Sequence, residues 1–373
     1  MKITQREVAR QLMNFDVILL GAVICLASLG LIMVLSASGI MAEKVYGDKY
    51  ALFWKQMLFM ALGGVVLTVA ARANMEFFYR HTYLWIVMAA GLLLMTIFSP
   101  LAATAGGASR WLRIGPISVQ PLEAAKIALV FYLAYFFANK QELVKTFSVG
   151  FLPPIIMTGG LCFLLLLQPD FGGAVFLAGL LFLMCLVGGT RIIFLGSAGV
   201  LALVSAALLV VNSPYRFRRV FSFLDPFKDA QNTGYQLVQS LYGLGSGGWF
   251  GQGLGEGKQK LFFLPEAHND FIMSVLGEEL GFVGVSLIII LLGLVLWRTL
   301  VISVRQQSIH DRITAFGMGS IVIIGGLLNM GVVLGAIPPK GVPMPFLSYG
   351  GSHLIAGFFC IGVLLNLSRK VKA

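Results

Sequence analysis

Ionisable side chains are scarce in this chain: Asp, Glu, Lys and Arg together make up 12% of its 373 residues, and histidine occurs four times. With 58% hydrophobic residues and a mean hydropathy of +0.89, there is too little polar surface to cover a soluble domain. Cysteine is equally sparse. Cys25, Cys162, Cys185 and Cys360 all fall in apolar runs with neither CxxC spacing nor an adjacent histidine. That excludes a thiolate metal centre or a disulfide framework and marks them as small buried hydrophobes. His81, His268, His310 and His353 form no HExxH or related ligand spacing, so no dedicated zinc site is expected. There is no repeat of fixed period and no low-complexity tract. The first apolar run, 15–36, lacks a small-residue cleavage site and reads as a retained helix, not a removed signal peptide.

What is present is a series of apolar runs of about 17–25 residues, the length a helix needs to cross roughly 30 Å of hydrocarbon. The pattern predicts an all-α polytopic membrane protein, one membrane domain over 1–373. Its ten helices are placed at 15–36, 53–71, 82–98, 122–138, 149–167, 171–188, 192–211, 271–297, 315–337 and 347–367. Ten spans leave both termini on one side. That side carries fourteen Lys and Arg residues, against six in the short loops opposite. The bias predicts both termini in the cytoplasm. The formal charge of +11 is therefore topology and not a nucleic-acid footprint.

One large polar interruption, 212–270, follows the seventh span and is expected outside the cytoplasm. Breaks at Pro153-Pro154, Gln168-Pro169-Asp170 and Pro338-Pro339 fall at membrane depth, where irregular backbone survives only if protein or a water-filled cavity covers it. The breaks at Pro169 and Pro338, the segment 106–126 and the long loop all fall on the outer side, which predicts an outward-facing cavity.

Within these segments, LPEAHNDFI at 264–272 gathers Glu266, His268 and Asp270 at the mouth of the eighth span. Asp270 admits two readings. Either it or Asn269 caps the helix, or Asp270 is a general base at the membrane surface, free for chemistry if Asn269 caps. Glu278 lies eight residues further on, nearly on the stripe of Asp270, and Glu279 is rotated about 100° from Glu278. Both are expected to be ion-pair members more readily than catalysts. Arg110 with Arg113, and Glu123 with Lys126, are spaced by three, as same-face helical pairs are. Lys126 either snorkels to the interface or seats a phosphate. Arg216, Arg218, Arg219, Lys258 and Lys260 add basic groups that suit lipid headgroups equally well. The run 243–257 contains a formal GxGxxG, but no strand precedes it; its glycines permit tight turns or close backbone approach to a ligand. The preceding GYQLVQSLYG suits a short interfacial helix.

LPEAHNDFI followed by GEELG, QPDFGGA (168–174), RWLRIGPISVQPLEAAK (110–126) and PPKGVPMPFLSYGGS (338–352), four blocks in order across most of the chain, resemble the SEDS family of shape, elongation, division and sporulation proteins. PEAH, GEELG and the lysine of PPKG lean toward its division branch. The resemblance implies a peptidoglycan glycosyltransferase of the bacterial inner membrane. Such an enzyme joins lipid II units on the outer leaflet, releases undecaprenyl pyrophosphate, and works beside a class B penicillin-binding protein and other division proteins. It places the essential aspartate on Asp270, the arginine, glutamate and lysine of the fourth span on Arg110, Glu123 and Lys126, and the proline-lysine turn on Pro338 and Lys340. Asn269, Leu122 and His353 depart from the family's frequent threonine, serine and serine; His353 adds a titratable group near the cavity. Arg110, Lys126 and either Arg216 or Lys340 would then steady the pyrophosphate, with Glu266 and His268 beside the substrate and a divalent cation such as Mg or Mn on acids like Glu266. Two other readings remain open: a transporter that flips the lipid-linked precursor, and a non-catalytic division scaffold packing through small residues such as those of GGLLNMG, 325–331.

Overall fold

The computed structural model describes residues 15–371 except 106–107, 116, 214–216, 218–222 and 233. Its helices in chain order are α1 (Val17–Tyr46), α2 (Ala51–Arg72), α3 (Met75–Arg80), α4 (Thr82–Phe98), α5 (Pro121–Asn139), α6 (Leu152–Leu167), α7 (Phe171–Gly188), α8 (Ile192–Val211), α9 (Tyr235–Ser246), α10 (Ile272–Val304), α11 (Ile309–Val333) and α12 (Gly351–Val371). Among the described residues, nine helices are long and apolar enough to cross a membrane; α4, with 17 residues, falls where the third span is expected. The expected membrane architecture is present.

Several boundaries move. α1 runs to Tyr46, ten residues past its expected end, and stops where Gly47 turns left-handed at φ 74°. Pro153 and Pro154 do not break a span. They sit in the first turn of α6, where a missing N–H costs nothing, after a short π-turn at Phe147–Phe151. The free cysteines are not uniformly buried, since Cys25 is exposed on the outside of α1. GYQLVQSLYG does form a short helix, α9, packed on α10.

One element lies outside the all-α expectation. Residues 102–119 form a small antiparallel sheet, β1 (Ala102–Ala105), β2 (Ala108–Ile114) and β3 (Ile117–Val119), in the order β1-β2-β3. β2 carries Trp111 and Ile114, β3 Ile117 and Val119, and Gly115 turns left-handed at φ 62° between β2 and β3. Arg110 and Arg113 therefore lie on a strand, not on one face of a helix. Strand alternation puts Arg110 on the side of buried Leu112 and leaves Arg113 exposed opposite Ser118.

α11 runs through the centre of the bundle and packs on α10, α5, α12 and α7, while α12 lies along α2. At one end, Asp16 caps α1 through Leu19 N–H (3.0 Å) and binds Arg298 of α10 (2.8 Å). At the same end Asp311 accepts from Tyr79 (2.6 Å) and Lys370 (2.7 Å), tying α3, α11 and α12 together. The sheet, the Pro169 turn, residues 264–271 and the 338–350 connection gather at the opposite end.

α10 is interrupted. Gly281 (φ 65°, ψ −162°) breaks the ladder, and the glycine run of the long loop takes over the freed groups. The carbonyls of Glu278 and Glu279 accept from Gln252 and Gly253 N–H (2.9 and 3.1 Å), and Phe282 and Val283 N–H donate to the carbonyls of Gly248 and Trp249 (2.9 and 3.1 Å). The glycines allow close approach, as expected, but to another stretch of backbone. The two glutamates complete the joint. Glu278 accepts from Lys258 and Gln259 N–H (2.8 and 3.1 Å). Glu279 binds Lys260 (2.6 Å) and Ser36 of α1 (2.7 Å). Both are structural, and Glu278 does not share a stripe with Asp270, which precedes the helix.

A Cβ at Gly251 (φ 80°) would lie 2.1 Å from the Glu279 carbonyl, whereas one at Gly21 meets nothing within 4 Å. Gly251→Ala is expected to lower stability by about 2–4 kcal/mol through clash and backbone strain. Gly21→Ala is expected to be neutral or stabilising by up to about 1 kcal/mol. Thermal unfolding in detergent measures both.

Candidate active site

The gathered segments form a small open cleft between the N-terminal ends of α5 and α7, with Arg110, Glu123, Lys126, Asp170 and Gly341 in its walls. Helix N-termini carry partial positive charge and orphan N–H groups, which favours anions at this spot. α5 starts at Pro121, and Ser352 of α12 fixes its entrance by accepting from Gln120 N–H (3.1 Å) and donating to the Ser118 carbonyl (3.1 Å). Glu123 in the first turn and Lys126 one turn on form a buried pair at 2.7 Å, each 7% exposed. The ammonium also lies 4.1 Å from the Phe176 ring centre, so Lys126 does not snorkel to the interface.

Asp170 is the site residue that sequence reasoning did not single out, although it stands inside the QPDFGGA block. It caps α7 by accepting from Gly173 N–H (3.1 Å), and its carboxylate lies 3.6 Å from Arg110 Nε. Arg110 Nη2 donates to the Pro169 carbonyl (3.1 Å). A Cβ at Gly173 would lie 2.8 Å from the Asp170 carboxylate, so the glycine lets that side chain fold over the helix end. An Asp before Phe-Gly-Gly after an apolar run is a legible cap signal; its arginine partner, 60 positions earlier, is not. Lys340, half-buried, reaches the same helix end, with its ammonium 5.0 Å from the Phe171 ring centre.

Asp270 approaches the 340–342 turn, where a Cβ at Gly341 would lie 2.9 Å from its carboxylate. The cap position of α10 belongs to Phe271, so neither Asn269 nor Asp270 holds it. The Asn269 amide instead donates to Glu266 (2.5 Å), which is exposed in a left-handed conformation at φ 56°. The 268–270 backbone is stitched to the α11–α12 connection. Ser348 donates to the Asn269 carbonyl (2.6 Å) while accepting from Met344 N–H (2.8 Å), and Tyr349 N–H donates to the His268 carbonyl (3.0 Å). His353 Nε2 lies 3.2 Å from the Ser348 carbonyl and so belongs to this turn.

The structure thus brings Arg110, Glu123 and Lys126 into one cleft with Asp170, sets Lys340 near Phe171 at the α7 end and the Asp270 carboxylate near Gly341, and leaves Glu266 and His268 further along the Asp270 turn. Arg216, with Arg218 and Arg219, lies outside the described residues. Among the described residues no three His, Cys, Asp or Glu side chains converge as a metal site. Glu266 accepts from the Asn269 amide.

Behind the cleft, an apolar groove of about 650 Å³ runs between α4 and α5, lined by Trp85, Met88, Leu92, Ile127, Phe131 and neighbours. Ile127 directly follows Lys126, so α5 forms a wall of both spaces.

The cell cycle protein family model, covering FtsW, RodA and SpoVE, matches residues 17–373. The probable peptidoglycan glycosyltransferase FtsW of Trichlorobacter lovleyi is 42% identical over 362 residues, 97% of this chain and 95% of that protein. Stage V sporulation protein E of Bacillus subtilis is 37% identical over 359 residues, 95% and 97% of the two chains. Among solved structures, a chain from a peptidoglycan synthase complex that coordinates polymerization and crosslinking superposes with a TM-score of 0.79 at 26% identity, covering 96% of this chain and 98% of that one. The rod shape determining protein RodA of Thermus thermophilus superposes at 0.70, also at 26% identity and with the same coverage.

Two outcomes follow from the buried groups. Lys126→Met strands a buried carboxylate and is expected to cost about 3–5 kcal/mol in unfolding experiments. Adding Glu123→Gln is expected to restore most of that stability. Burial pushes the His268 imidazolium below its ordinary pKa of 6.5, with Glu266 pulling upward. A depressed folded value means stability is full above the unfolded pKa and falls as pH drops below it. His268→Gln is therefore expected to flatten the decline in melting temperature between about pH 7 and about pH 5.

Proposed function

Because this chain belongs to the FtsW, RodA and SpoVE family of cell cycle proteins, we infer that it is a peptidoglycan glycosyltransferase that polymerises lipid II during cell division. The single observation that carries the reading is the cleft itself. Three cations, Arg110, Lys126 and Lys340, surround two helix N-termini, and the Asp270 carboxylate stands near Gly341. A pyrophosphate suits the cationic side; a sugar hydroxyl suits the carboxylate.

In this mechanism the acceptor hydroxyl attacks the anomeric carbon of the growing-strand donor, and its proton passes to Asp270. The new glycosidic C–O bond forms as the bond from the anomeric carbon to the pyrophosphate oxygen breaks. Arg110, Lys126 and Lys340 stabilise the negative charge that collects on the departing undecaprenyl pyrophosphate. Glu123 keeps Lys126 in place and Asp170 keeps Arg110 in place before substrate arrives, so little reorganisation of those two cations accompanies the reaction. The groove along α4 and α5 suits a polyprenyl chain, letting one helix hold both the tail and the charged head of a lipid-linked substrate. Glu266 and His268 lie on the Asp270 side, where burial disfavours the charged form of His268 and leaves its ring able to hydrogen-bond a sugar.

The excess of Lys and Arg at the end opposite the cleft supports cytoplasmic termini and an outer-leaflet site. The likeness to a chain of a synthase complex that couples polymerization to crosslinking supports a class B penicillin-binding protein as partner. The two closer relatives quoted above come from the division and sporulation branches, which supports a division role over elongation.

The test is glycan-strand synthesis from lipid II by the purified protein with its transpeptidase partner. Wild type is expected to make polymer, and Asp270→Asn to make none while unfolding at the wild-type temperature. Polymer from Asp270→Asn at near the wild-type rate removes Asp270 from the base role. Lipid II translocation across liposomes without polymer would instead identify a transporter, and division supported by Asp270→Asn a scaffold.

A further inference from the structure

We infer that Asn329 of α11 is a positioning residue for the glycosyl transfer, acting through Asp270; this rests on the glycosyltransferase reading of the cleft. Asn329 is 1% exposed, and its amide nitrogen donates two hydrogen bonds, to the carbonyl of Asp270 (2.7 Å) and to the carbonyl of Val342 (2.8 Å). One side chain thereby joins the segment that carries the base to the turn that forms the cleft wall. The joint is narrow. Val342 N–H donates to the Lys340 carbonyl (3.0 Å), which curls the turn so that Gly341 meets the Asp270 carboxylate. Lys340, at the start of the turn, reaches the α7 end of the cleft. Beside the Ser348 and Tyr349 N–H ties to residues 268 and 269, this amide is the contact that holds the Asp270 carbonyl and the Val342 carbonyl together, and so helps fix the span between base and leaving-group cation.

The chemistry of the side chain argues against simple space filling. Asn329 Oδ1 is buried and accepts no hydrogen bond. An apolar residue would fill the same space without an orphaned acceptor, so what the asparagine supplies is its pair of donors. Those donors touch neither ligand nor reacting atom. They fix where Asp270 stands relative to Lys340, and a small misplacement of a base is enough to slow proton transfer strongly.

The test measures polymerisation of lipid II by the full chain with its transpeptidase partner, comparing wild type, Asn329→Ala and Asn329→Ser, at a temperature where each variant is folded by unfolding assay. Asn329→Ala is expected to lower kcat by about 10–100-fold with KM within about twofold, the signature of lost transition-state geometry and not of lost binding. Asn329→Ser, which keeps one donor, is expected to lie between. If Asn329→Ala does not fold, Asn329→Ser carries the test, with a fall in kcat at constant KM still required. Wild-type kcat in a folded variant, or a loss confined to KM, overturns the assignment. A wild-type protein that makes no polymer overturns the glycosyltransferase reading itself, which distinguishes the two failures.

Discussion

Hydrocarbon offers no hydrogen bonds, so every irregular stretch of backbone at membrane depth has to be satisfied by the protein itself. The break at Gly281 is the clearest case. The break at Gly281 leaves carbonyls and amides of α10 without helical partners, and the glycine run 247–253 supplies the missing partners in two pairs of bonds. Gly251 and Gly281 approach so closely that a Cβ on either would clash with the other segment's backbone. The 247–260 part of the long loop is therefore packed onto α10, held by Glu278 on two amides and by Glu279 on Lys260 and Ser36.

The same constraint shapes the cleft. Its charges are arranged as neighbours that neutralise one another: Glu123 with Lys126, Asp170 with Arg110. A buried pair of this kind is weak evidence for added stability, since desolvation offsets most of the attraction. Its value lies in holding cations ready at two helix ends. The chain assembles the site from four separate segments, each ending or starting a span, so the bundle fixes relative positions that no single loop could hold. Asn329, Ser348 and Tyr349 N–H then lock the Asp270 turn onto the α11–α12 connection.

The bundle is bound differently at its two ends. Asp16 with Arg298, and Asp311 with Tyr79 and Lys370, tie helices directly to one another at the end away from the cleft. At the cleft end the ties run mostly between side chain and backbone across a helix and a connecting segment, as Gln56 of α2 does to the Ser348 carbonyl (3.2 Å) and Gln168 of the Pro169 turn to the Leu93 carbonyl of α4 (2.9 Å). Side chains aimed at backbone leave the charged groups of the connecting segments available to line a cavity.

The sequence by itself determined the spans, because hydropathy over about twenty residues is a local property and the bilayer has one thickness. It also determined which segments share a side, because each span reverses the chain. The motif blocks carried Asp270, Arg110, Glu123, Lys126 and Lys340 for the same local reason. Partnerships were decided only by tertiary structure. Nothing near Asp170 in the chain points to Arg110, nothing near Glu279 points to Ser36, and Asn329 stands in a run that reads as a packing stripe until α11 meets the turns on either side of it. Arg110 and Arg113 show the limit most plainly: a spacing of three means one face on a helix and opposite faces on a strand, and the turn at Gly115 together with packing against the bundle chose the strand. A side chain's role follows from what lies beside it, and in a helical membrane bundle that neighbour is set by how the helices assemble, often with hundreds of residues between the two.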